Sequence, residues 1–245
     1  MKKTIAVWFS CGAASAVAAK KTIEKYSDTH TIYVINNPIK EEHPDNHRFL
    51  KDVEKWIGQE IIIRTAKDYP NASIVEVFDK KKYMSGVFGA PCTGLLKKQA
   101  RYEFEIEFKV DYHVLGFTYE EKSRHDKFVM LERENLIPVL IDQKISKPMC
   151  FDILYENKIK LPEIYSLGFP NANCIGCVKS QSPTYWNLVR KKFPEVYKQR
   201  AKQSREIGCK LVKLKGERIY LDELTPKDRG GKIKSWECGI FCDTY

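Results

Sequence analysis

The stretch Ile5-Ala-Val-Trp-Phe-Ser10-Cys-Gly-Ala-Ala-Ser15-Ala-Val-Ala-Ala-Lys20 decides how this chain folds. Its apolar start predicts a buried strand, its middle a short loop of small residues, and its end an alanine-rich helix. Small residues let a backbone approach a ligand closely, and a helix N-terminus offers N–H groups and positive potential. The stretch therefore predicts a phosphate or sulfate cradle at the carboxyl end of a first strand. From the loop alone, an ordinary strand–helix turn explains the residues equally well.

Strand-like and helical patterns alternate over the first 160 residues. The predicted strands are Thr4–Phe9, Thr31–Asn36, Glu60–Arg64, Tyr112–Gly116 and Leu136–Ile141. The predicted helices are Ala14–Tyr26, Pro44–Ile57, Gly94–Phe108 and Ser146–Asn157, although Phe104–Phe108 also alternates as a strand does. This alternation predicts an α/β fold, with a mostly parallel five-stranded sheet and helices on both of its faces.

The pattern changes after residue 160, where Pro, Gly and Asn make an irregular loop. A long polar helix is predicted from Ser182 to about Ile207, bent at Pro194, and a small hairpin is predicted around Gly216. We therefore predict a nucleotide-binding α/β domain over residues 1–160. We predict that residues 161–245 form a cysteine-bearing helical and hairpin extension packed on that domain.

The composition favours anionic partners. The chain has 245 residues, with 42 basic and 32 acidic side chains and a net charge of +10. Such a surface suits nucleotides, nucleic acid or an acidic protein, although a basic surface without a specific role explains it as well. No apolar run is long enough to cross a membrane, and the polar residues of the first loop argue against a secretory signal. No membrane partner is expected.

The eight cysteines indicate thiol or metal chemistry. The chain is too long for a typical disulfide scaffold, which favours reduced thiols and a cytoplasmic protein. Cys174-x-x-Cys177 is the strongest local signal, because two thiolates at this spacing chelate a metal or a cluster iron. Dithiol redox chemistry and a chance pair remain open. Cys92 is a candidate third ligand and Cys238 or Cys242 a fourth, and the spacing does not distinguish zinc from an iron–sulfur cluster.

Two more segments follow predicted strands, where open α/β sheets bind ligands. Asn36 ends the second strand, at a place where a nucleoside could be recognised. Gly116, Lys122 and Arg124 follow the fourth strand, and Arg124 could hold an anion in bidentate fashion. A solvated loop with local salt bridges is the alternative.

Taken together, these residues resemble the phosphoadenylyl sulfate (PAPS) reductase family, within the PP-loop adenine nucleotide hydrolases. Glu237-Cys238-Gly239-Ile240 resembles the family's carboxyl-terminal signature, with Phe241 in place of its His. The first loop resembles the PP-loop, but Ala14 stands where the nucleotide hydrolases carry Asp. Cys92 with Lys97 and the segment from Gly116 to Arg124 resemble two further family segments, with Phe117 in place of an Arg.

The resemblance implies an adenine nucleotide ligand (PAPS, its relative APS, or ATP) and a [4Fe–4S] cluster, with zinc as the alternative metal. The implied phosphate-binding and nucleotide-binding residues are Ser10, Cys11, Gly12, Ala13, Ser15, Asn36, Lys97, Gly116, Lys122 and Arg124. The implied metal ligands are Cys92, Cys174, Cys177 and Cys242, and the implied catalytic residues are Cys238 and Glu237.

Three functions follow from the resemblance. The first, which we predict, is a sulfonucleotide reductase whose Cys238 thiolate attacks sulfur and which needs a thioredoxin-like reductant. The second is an ATP-dependent sulfur transferase that thiolates a nucleobase in RNA or DNA. The lost acidic residue at Ala14 counts against it. The third is a non-catalytic nucleotide-binding redox module. A homodimer is a possible assembly in each case.

Overall fold

The computed structural model describes residues 2–86, 89–231 and 233, which form two compact units. The first unit contains the chain up to Pro38, together with Pro44–Thr65 and Ala100–Glu163. The second contains Ile39–His43, Ala66–Gln99 and the described residues from Ile164 onward. Two segments of the first 160 residues therefore belong to the second unit. The domain division at residue 160 stays a prediction.

A parallel sheet organises the first unit. Its strands are β1 (Lys3–Phe9), β2 (His30–Asn36), β3 (Ile61–Ile63) and β4 (Tyr112–Val114), in the spatial order β3-β2-β1-β4. All three strand pairs are parallel. The α/β class and the parallel sheet predicted from the sequence are confirmed.

The helices connect and follow these strands. In chain order they are α1 (Ala13–Tyr26), α2 (Asn46–Ile57), α3 (Ile74–Lys81), α4 (Gln99–Phe108), α5 (Lys122–Leu131), α6 (Val139–Asp142), α7 (Lys147–Glu156), α8 (Glu163–Ser166), α9 (Pro183–Lys192) and α10 (Pro194–Ile207). A π-helical segment, Thr93–Lys98, leads into α4. No helix among the described residues is long and apolar enough to cross a membrane.

Helices cover both faces of the sheet, as predicted. Val7 and Phe9 of β1 pack on one face with α1, α2 and α7. The alanines of α1 are almost completely buried, because small side chains let the helix lie close to the sheet. On the other face, Trp8 packs with Phe104 of α4. The segment Phe104–Phe108, whose sequence alternates as a strand does, is the last part of α4. The rings of Phe104 and Phe108 stack on each other, four residues apart along this helix.

The predicted fifth strand is much shorter than expected. Leu136 makes one parallel bridge to His113 of β4, and the chain then turns into α6 at Val139. Pro138 has no N–H to donate to a ladder, so pairing ends before it. The helices α3 and α5 were not predicted: α5 mixes charged and apolar residues without a clear stripe, whereas α3 buries Ile74, Val77 and Phe78 on one face but has only eight residues.

The second unit has its own core, which includes Trp186, Tyr185 and both residues of the Cys-x-x-Cys pair. The predicted long helix is two helices, α9 and α10, that meet at Phe193. Pro194 begins α10 at a position where its missing N–H leaves no hydrogen bond unmade. The predicted hairpin is present as β5 (Val212–Leu214) and β6 (Glu217–Ile219).

Candidate functional site

The loop between β1 and α1 has the geometry of an anion cradle. Cys11 adopts a left-handed conformation, φ 56°, which turns the chain sharply at the end of the strand. Gly12 then precedes α1 in an extended conformation and offers no side-chain cap. The first turn of α1 carries no acidic residue, so the helix dipole leaves positive potential at this end.

Two serines hold the loop in shape. The buried Ser15 accepts hydrogen bonds at Oγ from the Ser10 backbone N–H, at 3.1 Å, and from the Ser10 hydroxyl, at 3.2 Å. The Ser15 hydroxyl in turn donates to the Gly12 carbonyl at 2.9 Å. Ser10 itself is exposed, whereas residues 11–15 are buried. The side chain of Ser15 therefore ties the two ends of the loop together.

Asn36 and Gly116 support the same loop from the neighbouring strands. The buried Asn36 amide donates to the Phe9 carbonyl at 2.8 Å and contacts Cys11 Sγ at 3.5 Å. A Cβ atom on Gly116 would lie 2.7 Å from the Ser15 nitrogen, so only glycine permits the observed approach. Asn36 thus acts as a brace of the loop, and its predicted contact with a nucleoside stays a prediction.

The loop lies where an open parallel sheet favours ligand binding. The chain leaves β1 toward β2 on one side, and β4 pairs with β1 on its other side. The chain after β1 therefore runs to one side of the sheet, and the chain after β4 runs to the other side. A crevice opens between these two connections at the carboxyl ends of β1 and β4. Crevices at such a switch point are the usual ligand sites of open α/β sheets.

The predicted basic residues of the first unit have acidic partners. The Arg124 guanidinium lies 2.7 Å from a Glu121 oxygen and over the ring of Phe117. The exposed Lys122 ammonium lies 2.7 Å from Asp126. Each would have to exchange its carboxylate for a phosphate, which costs little for the exposed Lys122 pair, whereas the Arg124 pair is half-buried. Their roles as phosphate ligands stay predictions.

Lys97 belongs to the second unit and has a buried acidic partner there. Its ammonium lies 3.4 Å from a Glu42 carboxylate oxygen, and each side chain is only 8% exposed. This pairing compensates its charge within the unit. The predicted contact of Lys97 with a phosphate is untested.

The Cys-x-x-Cys pair is buried in the core of the second unit. Cys174 and Cys177 are each 6% exposed, and Gly176 between them adopts a left-handed conformation, φ 70°. The Cys177 backbone N–H donates to the hydroxyl of the buried Tyr185 at 2.8 Å. Burial raises the pKa of Tyr185 well above its ordinary value, so this phenol stays neutral. The partly buried Cys92 packs against the same core.

Arg200 is the residue of this site that sequence reasoning missed. Its side chain is 1% exposed, and its electrostatic partners include Cys174 and Cys92. The buried polar residues of α10 recur on one helical face at Tyr197, Arg200 and Ser204. That spacing is visible in the sequence, but it lies within a segment that is predicted only as a long polar helix.

The described residues near the cysteine pair do not by themselves form a metal site. Two thiols share one buried cluster, and a buried cation stands beside them. Residues 2–86, 89–231 and 233 contain no group of three or more His, Cys, Asp or Glu side chains arranged to hold a metal ion. The predicted ligand Cys242 and the predicted catalytic residues Cys238 and Glu237 lie outside the described residues, so they stay predictions.

Comparisons with solved structures found distant likenesses. A PAPS reductase from Candida auris, in a phosphate complex, is 14% identical, with a TM-score of 0.46 over 67% of this chain and 78% of that one. The U34-tRNA thiolase NcsA from Methanococcus maripaludis, with its [4Fe-4S] cluster, is 15% identical, with a TM-score of 0.44 over 84% of this chain and 69% of that one. No protein-family profile and no curated protein sequence matches the chain. The first likeness is to the enzyme class that the sequence resembles, but neither is strong enough to assign a function.

Proposed function

We propose that this chain is a PAPS reductase-like enzyme of sulfur chemistry that binds an adenine nucleotide at the β1–α1 loop. The observation that carries the proposal is the loop itself. Small residues, a helix start with no acidic residue in its first turn and a buried serine brace meet at the carboxyl end of the central strand. A phosphate or sulfate group suits this position because the helix dipole and the backbone favour an anion there.

The reaction that we favour is reduction of a sulfonucleotide. The Cys238 thiolate would attack the sulfur of the phosphosulfate, forming an S–S bond while the S–O bond to phosphate breaks. The adenosine phosphate leaves with the electron pair of that bond. A thioredoxin-like dithiol then reduces the Cys238 thiosulfonate, releasing sulfite and regenerating the thiolate while the dithiol becomes a disulfide.

The first unit would supply the nucleotide site for this reaction. Ser15 would keep the loop closed around the phosphosulfate, and Arg124 would add positive charge once it exchanges Glu121 for the anion. Cys92, Cys174 and Cys177 would hold the metal group, with Cys242 as a further ligand. That group would supply electron-transfer capacity at the cysteine site.

A direct test compares sulfite release with nucleotide binding. The anaerobically purified protein, given PAPS or APS and a thioredoxin-like dithiol, is expected to release sulfite in proportion to nucleotide consumed. Cys238→Ser should abolish sulfite release and leave nucleotide affinity, measured by calorimetry, unchanged. Cys209→Ser is the matched control and should retain activity. Full sulfite release by Cys238→Ser would refute the reductase mechanism.

A second candidate function is nucleobase thiolation in RNA or DNA. It is favoured by the net charge of +10 and by a buried cysteine pair beside a buried cation, which suits storage of reactive sulfur. Pyrophosphate release from ATP that depends on added nucleic acid would support it over reduction. Its nucleic-acid affinity should fall steeply with salt, because counterions are released on binding. A homodimer and a cytoplasmic location remain predictions under either function.

A further inference from the structure

The net positive charge of the chain belongs to the second unit. Among the described residues, the first unit has 19 basic and 19 acidic side chains, so its net charge is zero. The described residues of the second unit include 21 basic and 11 acidic side chains, an excess of ten positive charges. Because net charge governs the attraction of charged partners, a large anionic partner is attracted to the second unit.

The two units also differ in exposed apolar surface. Eight large hydrophobic side chains stand exposed among the described residues, and all of them, Tyr102 and Met130 included, belong to the first unit. Protein–protein interfaces are built around aromatic and aliphatic anchors, whereas nucleic-acid interfaces are more polar and much more positively charged. The described surface of the second unit therefore suits a nucleic acid better than an acidic protein.

The hairpin of β5 and β6 places two cations opposite each other. Lys213 and Arg218 are partners in its register, and both are exposed. Directly opposed residues of an antiparallel pair project to the same face. The Lys213 backbone N–H donates to the Gln181 carbonyl at 2.9 Å, away from β6. The two cations therefore form a non-hydrogen-bonded pair, the type in which opposed side chains lie closest.

This pair of like charges has no acidic partner in the part of the chain that the structure describes. Neither Lys213 nor Arg218 forms an ion pair there, and the acidic residues that follow the hairpin, Asp222 and Glu223, pair with Arg205 at 2.8 and 3.0 Å. Like charges directly opposite each other destabilise a hairpin. A phosphate bound between the two side chains would remove this repulsion.

Lys210 joins the pair through Arg218. The Arg218 guanidinium donates to the Lys210 carbonyl at 3.3 Å. The exposed Lys210 ammonium lies 5.6 Å from the centroid of the Tyr220 ring. Cations beside aromatic rings are typical of surfaces that follow a nucleic-acid backbone. We call Lys210, Lys213 and Arg218 the basic cluster of the hairpin.

We infer that the second unit binds nucleic acid, and that the basic cluster contacts its backbone phosphates. The planar guanidinium of Arg218 matches a phosphate in bidentate fashion, and the two lysines act as point charges. Phosphate contacts carry no sequence information, so these residues bind RNA and DNA of any sequence. The inference goes beyond the proposed reductase reaction and concerns binding alone, whereas sulfite release tests the reaction.

The test measures binding by fluorescence anisotropy over a series of salt concentrations. The probes are a labelled RNA hairpin and a labelled DNA duplex of equal length, and the whole chain is expected to bind both. The double substitution Lys213→Gln with Arg218→Gln should weaken binding about 10–100-fold at about 0.1 M salt. It should also make the slope of log affinity against log salt less steep by about two, because two phosphate contacts are lost. Failure of the unsubstituted protein to bind either probe would overturn the inference.

A matched double substitution in the first unit separates a located site from bulk charge. Lys158→Gln with Lys160→Gln removes the same two charges from exposed positions and should bind nearly as wild type, because charges outside the contact are screened by salt. Equal weakening by the two double variants would mean that only net charge matters, and would overturn the inference. Unlabelled poly-glutamate tests the alternative of an acidic protein. Displacement of the probes by an equal concentration of glutamate charges would overturn the assignment to nucleic acid.

Thermal unfolding separates a lost contact from a lost fold. Removing the like-charge pair should leave the Tm of the Lys213 and Arg218 double variant unchanged or higher. A lower Tm with wild-type affinity would overturn the inference, because the two side chains would then serve the fold alone. If the double variant does not fold, Lys213→Gln alone decides. A salt slope less steep by about one supports the inference, and a wild-type slope overturns it.

Discussion

Gly116 lies so close to Ser15 that a Cβ atom on the glycine would stand 2.7 Å from the Ser15 backbone nitrogen and 2.9 Å from its Cα. The atoms that it would meet belong to the backbone of α1, which cannot rotate away. The connection after β4 is thereby pressed against the start of the helix that forms the proposed anion cradle.

Gly116→Ala should therefore displace the cradle. We expect a destabilisation of about 1–3 kcal/mol from overpacking. Phosphate or nucleotide affinity should fall at least about tenfold, which corresponds to about 1.4 kcal/mol. Chemical denaturation and calorimetry measure the two effects. Gly231→Ala is the matched control, since its Cβ would meet open space. Equal nucleotide affinity in the two variants would argue against a ligand at this loop.

Ser15→Ala tests the brace within the loop. The substitution removes the buried hydroxyl that accepts from Ser10 and donates to Gly12, at an expected cost of about 1 kcal/mol. The loop should also hold phosphate less tightly, because its two ends are no longer tied. Ser10→Ala removes only an exposed hydroxyl and should have a smaller effect on the unfolding free energy. A larger stability loss in Ser10→Ala than in Ser15→Ala would contradict this assignment.

The cysteine pair should dominate metal binding in the second unit. Cys174→Ser or Cys177→Ser is expected to lower bound iron or zinc, measured by elemental analysis after anaerobic purification, and to remove thiolate charge-transfer absorbance. Cys209→Ser is the control, because its partly buried thiol contacts the Ser85 carbonyl at 3.4 Å and belongs to no predicted ligand set. Unchanged metal content in all three variants would place any metal elsewhere.

His113 should make the stability of the protein depend on pH. Burial, with help from Arg133 and Arg101, lowers the pKa of His113 from 6.5 to about 3. Its Nδ1 accepts a hydrogen bond from the Trp8 indole at 3.1 Å, which requires an unprotonated nitrogen there. Between these two pKa values the unfolded chain binds a proton that the folded chain does not. The contribution of neutral His113 to the free energy of unfolding is therefore fully present above pH 6.5. It is lost as the pH falls from 6.5 toward 3.

The slope attributable to His113 is at most about 1.4 kcal/mol per pH unit in that window. Denaturant unfolding at pH 7 and pH 5 measures it. His113→Gln should reduce the difference in unfolding free energy between the two pH values, although the variant is less stable overall. An identical pH dependence in His113→Gln and wild type would contradict the depressed pKa.

Part of this fold could be predicted from local sequence alone. The apolar run ending at Phe9 and the alanine-rich run after it lie where a strand and a helix were expected, because continuous burial leaves a direct signature in residue type. The segment from Leu136 was misread because an apolar run is typical of a buried strand, whereas Pro138 ended the pairing after one bridge. Phe104–Phe108 was ambiguous until its packing against Trp8 showed a helix.

The sequence by itself determined the α/β class, the small-residue loop after β1 and the cysteine pair, since each depends on residue types that are adjacent in the chain. The partners of these features came only from the tertiary structure: Gly116 against Ser15, Glu42 beside Lys97, and Arg200 beside the loop of Cys174. These residues are separated from their partners by about 25 to 100 positions along the chain. Contacts over such separations depend on how each unit folds, and residue type alone does not record them.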